Sequence, residues 1–214
     1  MMCFLSAIFA KRQSLSAIIM RRLLTYLFSL VSLTAYSQLP EISRRDFTGQ
    51  DQIIYNTFVG KCDFMIAYTT ESYWWANKFN YSILVLNKSK WERLNLSYRK
   101  KNNGTFSKPV IAKATYDTDL ANKLIQDLSI LSFWNLNTDS LNIRQKRLND
   151  STELTYSFSD GVNYKFEILK GNNYMIIDAY EPEFFLKKIP EIKEREKFIK
   201  ARQAFEIALK NNGT

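Results

Sequence analysis

Residues 153–182, ELTYSFSDGVNYKFEILKGNNYMIIDAYEP, decide the fold of this chain. Large β-forming residues alternate with polar ones before Asp160-Gly161 and again after it. Period-two alternation is typical of strands with one buried face, and Asp-Gly is a strong hairpin signal. A second turn at residues 170–173 leads into residues 174–180, which are apolar on both faces. The stretch therefore predicts three consecutive antiparallel strands joined by two tight turns.

The first turn follows from the register of its two strands. A two-residue loop would place the apolar rows on opposite faces of the hairpin, which leaves one row in water. A three-residue loop, 159–161, pairs Phe158 with Val162 and brings both rows to one face. The sequence therefore predicts a bulged loop in which Gly161 is left-handed, a conformation that glycine adopts without a steric penalty.

The rest of the chain completes an α+β pattern. Four further strands are predicted, at residues 63–70, 79–86, 91–99 and 107–115. One helix is predicted after the N-cap Asp117, because leucines recur on one stripe there, and another begins at Pro190. Short turns between strands imply antiparallel pairing. The fold class is therefore α+β, a mainly antiparallel sheet with about two helices packed on one face.

Three segments show weaker patterns. Residues 38–50 are expected to form a flexible lead-in, and residues 51–60 fit either a short helix or a strand. Residues 137–150 are polar and basic and predict a linker with at most a short strand at 141–143. At the start of the last helix, the charged residues around Arg195 are expected to face water.

The N-terminus resembles an export signal. From Met20, two arginines precede a short apolar run that ends in Ala35-Tyr36-Ser37, a pattern that suits signal peptidase. We expect residues 1–37 to be an N-terminal extension plus signal peptide, with the natural start at Met20 and cleavage before Gln38. Residues 38–214 then form a single α+β domain, exported to the periplasm or the cell surface. The alternative is a retained N-terminal segment, in which case the protein is held at a membrane.

Charge and composition restrict the partners. The formal net charge is +9, and loss of residues 1–37, which hold four basic and no acidic residues, lowers it to +5. This moderate charge argues against a nucleic-acid partner. Basic residues at 99–113 and 144–147 suit an anionic surface or remain solvated.

The chain contains no histidine, and Cys62 is the one cysteine after residue 37. Ser-His-Asp and Cys-His catalysis and histidine or cysteine metal clusters are therefore excluded from the predicted domain. No phosphate-binding loop or nucleophile elbow is visible in the sequence. We predict no metal and no cofactor.

Two features remain as candidate ligand-binding residues. Tyr73, Trp74 and Trp75 form the densest aromatic run, and aromatic rings stack on sugars, although core packing also explains them. Asp178 interrupts an apolar strand, so it either faces an edge or is buried with a partner. Five carboxylates, Asp63, Glu71, Asp178, Glu181 and Glu183, are candidates for a glycosidase-like pair, although solvated surface acids also explain them.

The Tyr36-Ser37-Gln38 ending of the signal and a pattern over residues 160–194, DG..Y.FEI...NNY.....Y.PE....IPEIKE, resemble small exported proteins of unknown function from Bacteroidota. The resemblance implies export and no catalytic residues. The sequence thus favours an exported, non-catalytic binding or structural module, with an envelope glycan or an anionic surface as its partner. The alternative is a carboxylate-based or Ser/Lys hydrolase acting on envelope or carbohydrate substrates.

Overall fold

The computed structural model describes residues 39–42, 52–72 and 77–211. Its centre is a six-stranded antiparallel sheet, and a two-stranded ribbon stands beside it. The strands are β1 (Phe64–Ser72), β2 (Lys78–Asn87), β3 (Lys90–Arg99), β4 (Val110–Thr115), β5 (Gln145–Asn149), β6 (Thr152–Thr155), β7 (Val162–Lys170) and β8 (Asn173–Tyr180). The sheet order is β4-β3-β2-β1-β7-β8, and the ribbon is β5-β6. The predicted α+β class with a mainly antiparallel sheet is confirmed.

The described ranges contain five α-helices, more than the two that were predicted. They are α1 (Gln52–Phe58), α2 (Thr118–Ile130), α3 (Thr138–Leu141), α4 (Pro182–Lys188) and α5 (Glu194–Asn211). Asp117 caps α2 as expected, since its side chain accepts a hydrogen bond from the Leu120 backbone N–H at 2.9 Å. Across the part of the chain with described structure, no helix has the length and apolar character needed to cross a membrane.

Strand β7 pairs with β1 and β8, so the predicted hairpin of residues 154–168 is wrong. Phe166 lies opposite Tyr68 of β1, and the residues before Asp160 turn away, where β6 pairs with β5. Leu154 and Phe158 are consequently exposed. The left-handed residue in the loop is Asp160, with φ 61°, and not Gly161. The prediction that Tyr164, Phe166 and Ile168 share the buried face of β7 is confirmed. The predicted neighbouring strand, residues 154–158, was wrong because β1 offers a longer apolar row.

The main core lies between one face of the sheet and the long helices. Phe64 and Ile66 of β1 and Phe166 of β7 are fully buried on this face. Phe166 packs edge-on against Phe198 and Phe205 of α5, with ring centroids 5.9 and 5.4 Å apart. Burying large apolar side chains in this way is the main stabilising term of such a layered domain.

The opposite face of the sheet is covered in part by α1. Ile54 and Phe58 of α1 are buried against Met65 of β1 and Leu169 of β7. The open choice for residues 51–60 is therefore settled as a helix over Gln52–Phe58. Placing all helices on one face was wrong, because this face also carries apolar residues that need cover.

Residues 39–42 belong to the fold. Pro40 and Ile42 are buried, and Ile42 joins the main core. Lys170 Nζ donates to the backbone carbonyls of Leu39 and Pro40 at 3.2 and 3.0 Å. The expectation of a flexible lead-in is wrong for these four residues, and the rest of that segment, 43–50, lies outside the described residues.

Arg195 is fully buried instead of facing water. Its guanidinium donates to the carbonyls of Leu141 at 3.0 Å and Phe185 at 3.1 Å, and also to that of Ile143. The five donors of a guanidinium suit this task, because three separate backbone acceptors converge on it. Arg195 therefore joins the end of α3, the segment leading to β5, and α4 to helix α5.

We expect Arg195→Ala to lower the free energy of unfolding by about 3 kcal/mol, because buried carbonyl groups lose their donors. Urea unfolding followed by circular dichroism measures the change. Lys197→Ala, an exposed position on the same helix, is the control and should stay within about 0.5 kcal/mol of wild type. Equal stability of the two variants would contradict the assigned role of Arg195.

Candidate functional site

A buried ion-pair cluster lies on the α1 side of the sheet. Lys165 and Glu167 are neighbours on one face of β7, 6 % and 0 % exposed. Lys165 Nζ lies 2.8 Å from Glu71 Oε1 and 3.2 Å from Glu167 Oε1. Burying an unpaired ammonium would cost several kcal/mol. Lys165 can be buried here because two carboxylates pair with its ammonium group.

Two tyrosines complete the cluster around Glu167. Tyr81 Oη donates to Glu167 Oε1 at 2.7 Å, and Tyr174 Oη donates to Glu167 Oε2. Burial raises the pKa of Glu167, while Lys165 and the two phenols partly offset this effect. Burial and the nearby Glu167 also raise the pKa of Tyr81, and burial raises that of Tyr98 to about 12. The Tyr81 phenol is therefore a neutral hydrogen-bond donor to Glu167 near neutral pH.

A cleft of about 530 Å³ opens at the end of the sheet beside this cluster. Its lining comes from the end of β1, the start of β7, the end of β8 and the loop before β7. The lining residues are Glu71, Ser72, Ser159, Asp160, Gly161, Asn163 and Tyr180. Glu71 belongs to both features, since its carboxylate contacts Lys165 and the residue is part of the cleft lining. The buried ion-pair cluster and the cleft are therefore connected through Glu71.

The loop that borders the cleft is held by side chains from β8 and the residue after it. Tyr180 Oη accepts from the Gly161 N–H at 3.0 Å and donates to the Phe158 carbonyl at 2.8 Å. Glu181 Oε1 accepts from the Val162 N–H at 2.7 Å. These bonds satisfy backbone groups that no strand partner satisfies there.

Two of the five non-glycine residues with positive φ in the described part of the chain lie at this loop, and the other three, Lys88, Ser89 and Ser132, lie elsewhere. Asp160 and Glu181 have φ values of 61° and 42°, in the left-handed region that favours glycine. Such conformations cost on the order of 1–3 kcal/mol each and persist where the surroundings enforce them, often at functional sites. Asp160 lines the cleft and Glu181 holds the loop beside it, so part of the backbone strain of the fold lies at the cleft.

Asp178 lies next to the cleft and has a protein partner. Its Oδ2 accepts from Asn163 Nδ2 at 3.2 Å, which fixes the amide of a residue that lines the cleft. Two alternatives were predicted for Asp178, an edge-facing residue or a buried polar group with a partner, and the structure shows a half-buried residue on the edge strand β8 that has Asn163 as its partner. Tyr73, Trp74 and Trp75 lie outside the described residues, so the predicted aromatic platform stays a prediction.

The other carboxylates considered from the sequence do not gather here. Asp63 accepts from the backbone N–H of Lys88, and Glu183 pairs with Arg202 on α5. Lys165, Glu167 and Asn163 were missed, because alternating polar residues on β7 have the pattern of a solvent-facing row. One signal in the sequence could have identified them. A lysine and a glutamate lie two residues apart, and so on one face, on the middle one of the three predicted strands.

No group of three or more metal-ligating side chains occurs within residues 39–42, 52–72 and 77–211. Comparison with models of known protein families and with curated proteins finds no match.

Gly161→Ala tests the close packing of the cleft loop. A Cβ at this position would lie 2.5 Å from Tyr180 Oη and 2.6 Å from Glu181 Cγ, so the loop must move. We expect a loss of about 1–3 kcal/mol in the free energy of unfolding, typical of overpacking. Chemical denaturation measures it, with Ser159→Ala, an exposed position in the same loop, as the control. A variant as stable as the control would show that the packing is looser than described.

The buried Glu167 predicts a specific pH dependence. Because burial raises its folded-state pKa above the ordinary 4.5, the folded protein holds this proton more tightly than the unfolded chain does. The resulting stability is complete below pH 4.5 and is lost as the pH rises through the folded-state pKa. Glutamine at this position does not titrate and lacks this contribution.

We therefore expect the unfolding free energy of wild type, minus that of Glu167→Gln, to fall as the pH rises from about 4 to about 8. Urea unfolding at a series of pH values measures both proteins. Taking the difference between the two proteins removes the contribution of exposed acids such as Glu191 and Glu196. A difference that is constant or rises with pH would contradict the assigned burial effect.

Proposed function

We propose that the protein is an exported, non-catalytic binding module whose cleft holds a polar, hydroxyl-rich ligand of the envelope-glycan type. The single observation that carries this proposal is the cleft itself, open to solvent and supported by an ion-paired cluster. Export rests on the predicted signal peptide before Gln38.

The lining of the cleft supports a sugar-like ligand. Glu71 and Asp160 offer carboxylate oxygens, and Ser72 and Ser159 offer hydroxyl groups that both donate and accept. Sugar hydroxyls are complementary to such a mixed set. Tyr180 adds an aromatic side chain whose hydroxyl is already bonded within the protein, so it contributes contact area.

The arrangement of the titratable groups favours binding over hydrolysis. Glu167 has the raised pKa that a general acid needs, but it is fully buried and does not line the cleft. Lys165 lies between two carboxylates, an arrangement that opposes its use as the base of a Ser/Lys pair. Burial raises the pKa of the Cys62 thiol to about 11, which opposes thiolate chemistry.

The competing function is a hydrolase that uses Glu71 and Asp160, and it is favoured by the presence of both carboxylates in one cleft. The two functions differ in the fate of a bound glycan. A binding module leaves the oligosaccharide intact, whereas a hydrolase releases shorter products.

Glu71→Gln tests the proposal, with a tetramer of N-acetylglucosamine and a lipopolysaccharide core oligosaccharide as probes. We expect wild type to bind at least one probe without cleaving it. The variant should bind about tenfold more weakly, because a charged hydrogen-bond acceptor of the cleft becomes neutral. Calorimetry measures affinity, and mass spectrometry of the probe measures cleavage.

Glu153→Gln makes the same chemical change at an exposed position on the ribbon and should bind like wild type. Equal binding by the two variants, or no binding by wild type, would overturn the proposed site. Shortened probe in the wild-type sample, absent with Glu71→Gln, would establish the hydrolase instead.

A further inference from the structure

The two outer edges of the main sheet differ in how their backbone groups are satisfied. At β8, side chains of α3 and the residue after it take the place of a neighbouring strand. Thr138 Oγ1 accepts from the Asp178 N–H at 3.1 Å, and Asn142 Oδ1 accepts from the Tyr180 N–H at 2.9 Å. Asn142 Nδ2 donates to the Asp178 carbonyl at 3.2 Å. The β8 edge is therefore closed to further pairing.

The edge at β4 is open. The Tyr116 N–H donates to the Trp91 carbonyl at 3.1 Å, so this pair is hydrogen-bonded. In an antiparallel ladder, alternate residues then face inward, and the intervening ones face away. The backbone groups of Ile111 and Lys113 therefore point to the outer edge. Within the described residues no strand lies beyond β4, and every residue of β4 is exposed.

This edge also has a strong charge asymmetry. The chain carries no acidic residue between Glu92 and Asp117. Five basic residues lie on β4, at the end of β3 or on the segment between these two strands, namely Arg99, Lys100, Lys101, Lys108 and Lys113. Lys113 lies 3.4 Å from Glu92, but the Lys113 side chain is largely exposed and the Glu92 side chain is partly exposed, so this pair contributes little.

Apolar side chains stand beside the open backbone groups. Val110 is 68 % exposed and Ile111 is 39 % exposed, and they project from opposite faces of the strand. A strand added at this edge would cover part of both side chains while pairing with the backbone.

We propose that the outer edge of β4 binds an extended acidic peptide segment of a partner protein, which adds a seventh strand to the sheet. Backbone hydrogen bonds to Ile111 and Lys113 supply affinity in this mode of recognition. The surrounding lysines and Arg99 select acidic side chains on the peptide. The site is separate from the cleft of the proposed function.

A second copy of the chain fits this edge less well. Antiparallel pairing of two β4 strands would bring both Lys113 side chains to one interface, with one basic segment at each of its ends. Like charges placed side by side across strands are destabilising. Charge complementarity therefore selects an acidic partner over self-association.

The experiment uses an acetylated, amidated hexapeptide of alternating valine and glutamate, titrated into the ¹⁵N-labelled full domain. We expect the amide signals of Ile111 and Lys113 to shift, and the affinity to fall as salt is added. Two matched peptides serve as controls. One carries lysine in place of glutamate, and the other is N-methylated at alternate residues so that it cannot pair along its backbone. Both should bind about tenfold more weakly.

Two protein variants separate backbone pairing from charge. Ile111→Pro removes one outward N–H without removing a ladder bond, and it should weaken binding of the acidic peptide about tenfold. Lys113→Glu keeps the backbone intact and should shift the preference towards the lysine peptide. Thermal unfolding of both variants verifies the fold, and Lys113→Glu remains a test if the proline variant is unstable.

Three results would each overturn the proposal. One is absent binding, or equal binding of the acidic and lysine peptides. Another is unchanged binding of the N-methylated peptide or of Ile111→Pro, which would assign the edge to general attraction for anionic surfaces. The third is a wild-type dimer that Ile111→Pro converts to a monomer, which would make β4 an interface between copies.

Discussion

An ammonium buried between two carboxylates on the inner strands of the sheet, beside the cleft, is the interaction on which the rest of the structure depends. Lys165 and Glu167 come from β7, Glu71 from β1, Tyr81 from β2 and Tyr174 from β8. A shift of one residue in any strand pairing would turn its polar groups into the apolar face. Because a buried charge without a partner is costly, the cluster specifies the register of four neighbouring strands at once. Apolar packing alone would tolerate more than one alignment.

The local patterns of the sequence predict which residues share a face of a strand better than they predict which strands pair with each other. Tyr164, Phe166 and Ile168 do share one face of β7, as their alternation indicates. The neighbouring strand was wrong because the register was argued within one hairpin, where only residues 154–158 were available. Phe64 and Ile66 of β1 are stronger partners, but they lie about a hundred residues earlier and a pattern of period two carries no information on that distance. The helix after Asp117 was predictable since its cap and its stripe are both local.

The candidate site was predictable only where one residue contradicts its surroundings. Asp178 stands out in an apolar strand, and its bond to Asn163 explains it. Lys165 and Glu167 do not stand out, because their burial depends on α1 and on strands that are remote in sequence. The loop conformation was also beyond local reasoning. Gly161 is needed for close approach to Tyr180 Oη, not for a left-handed backbone. That requirement comes from a side chain at the far end of β8.

The cleft and the β4 edge of the sheet differ in how completely they are determined. At the cleft, strained residues such as Glu181 persist because hydrogen bonds from side chains and backbone converge on the same loop. At the lateral edge, β4 pairs with β3 alone among the strands that the structure describes, and its side chains are exposed on both faces. Rigid surroundings suit a site that must present several polar groups together, because ligand binding then costs little conformational entropy in the protein. A strand that is paired on one side only suits recognition through the backbone, because an added strand can form hydrogen bonds with its outward-pointing backbone groups. The two proposed recognition surfaces therefore lie at different places on one sheet, the cleft at the ends of β1, β7 and β8 and the peptide-binding edge along β4.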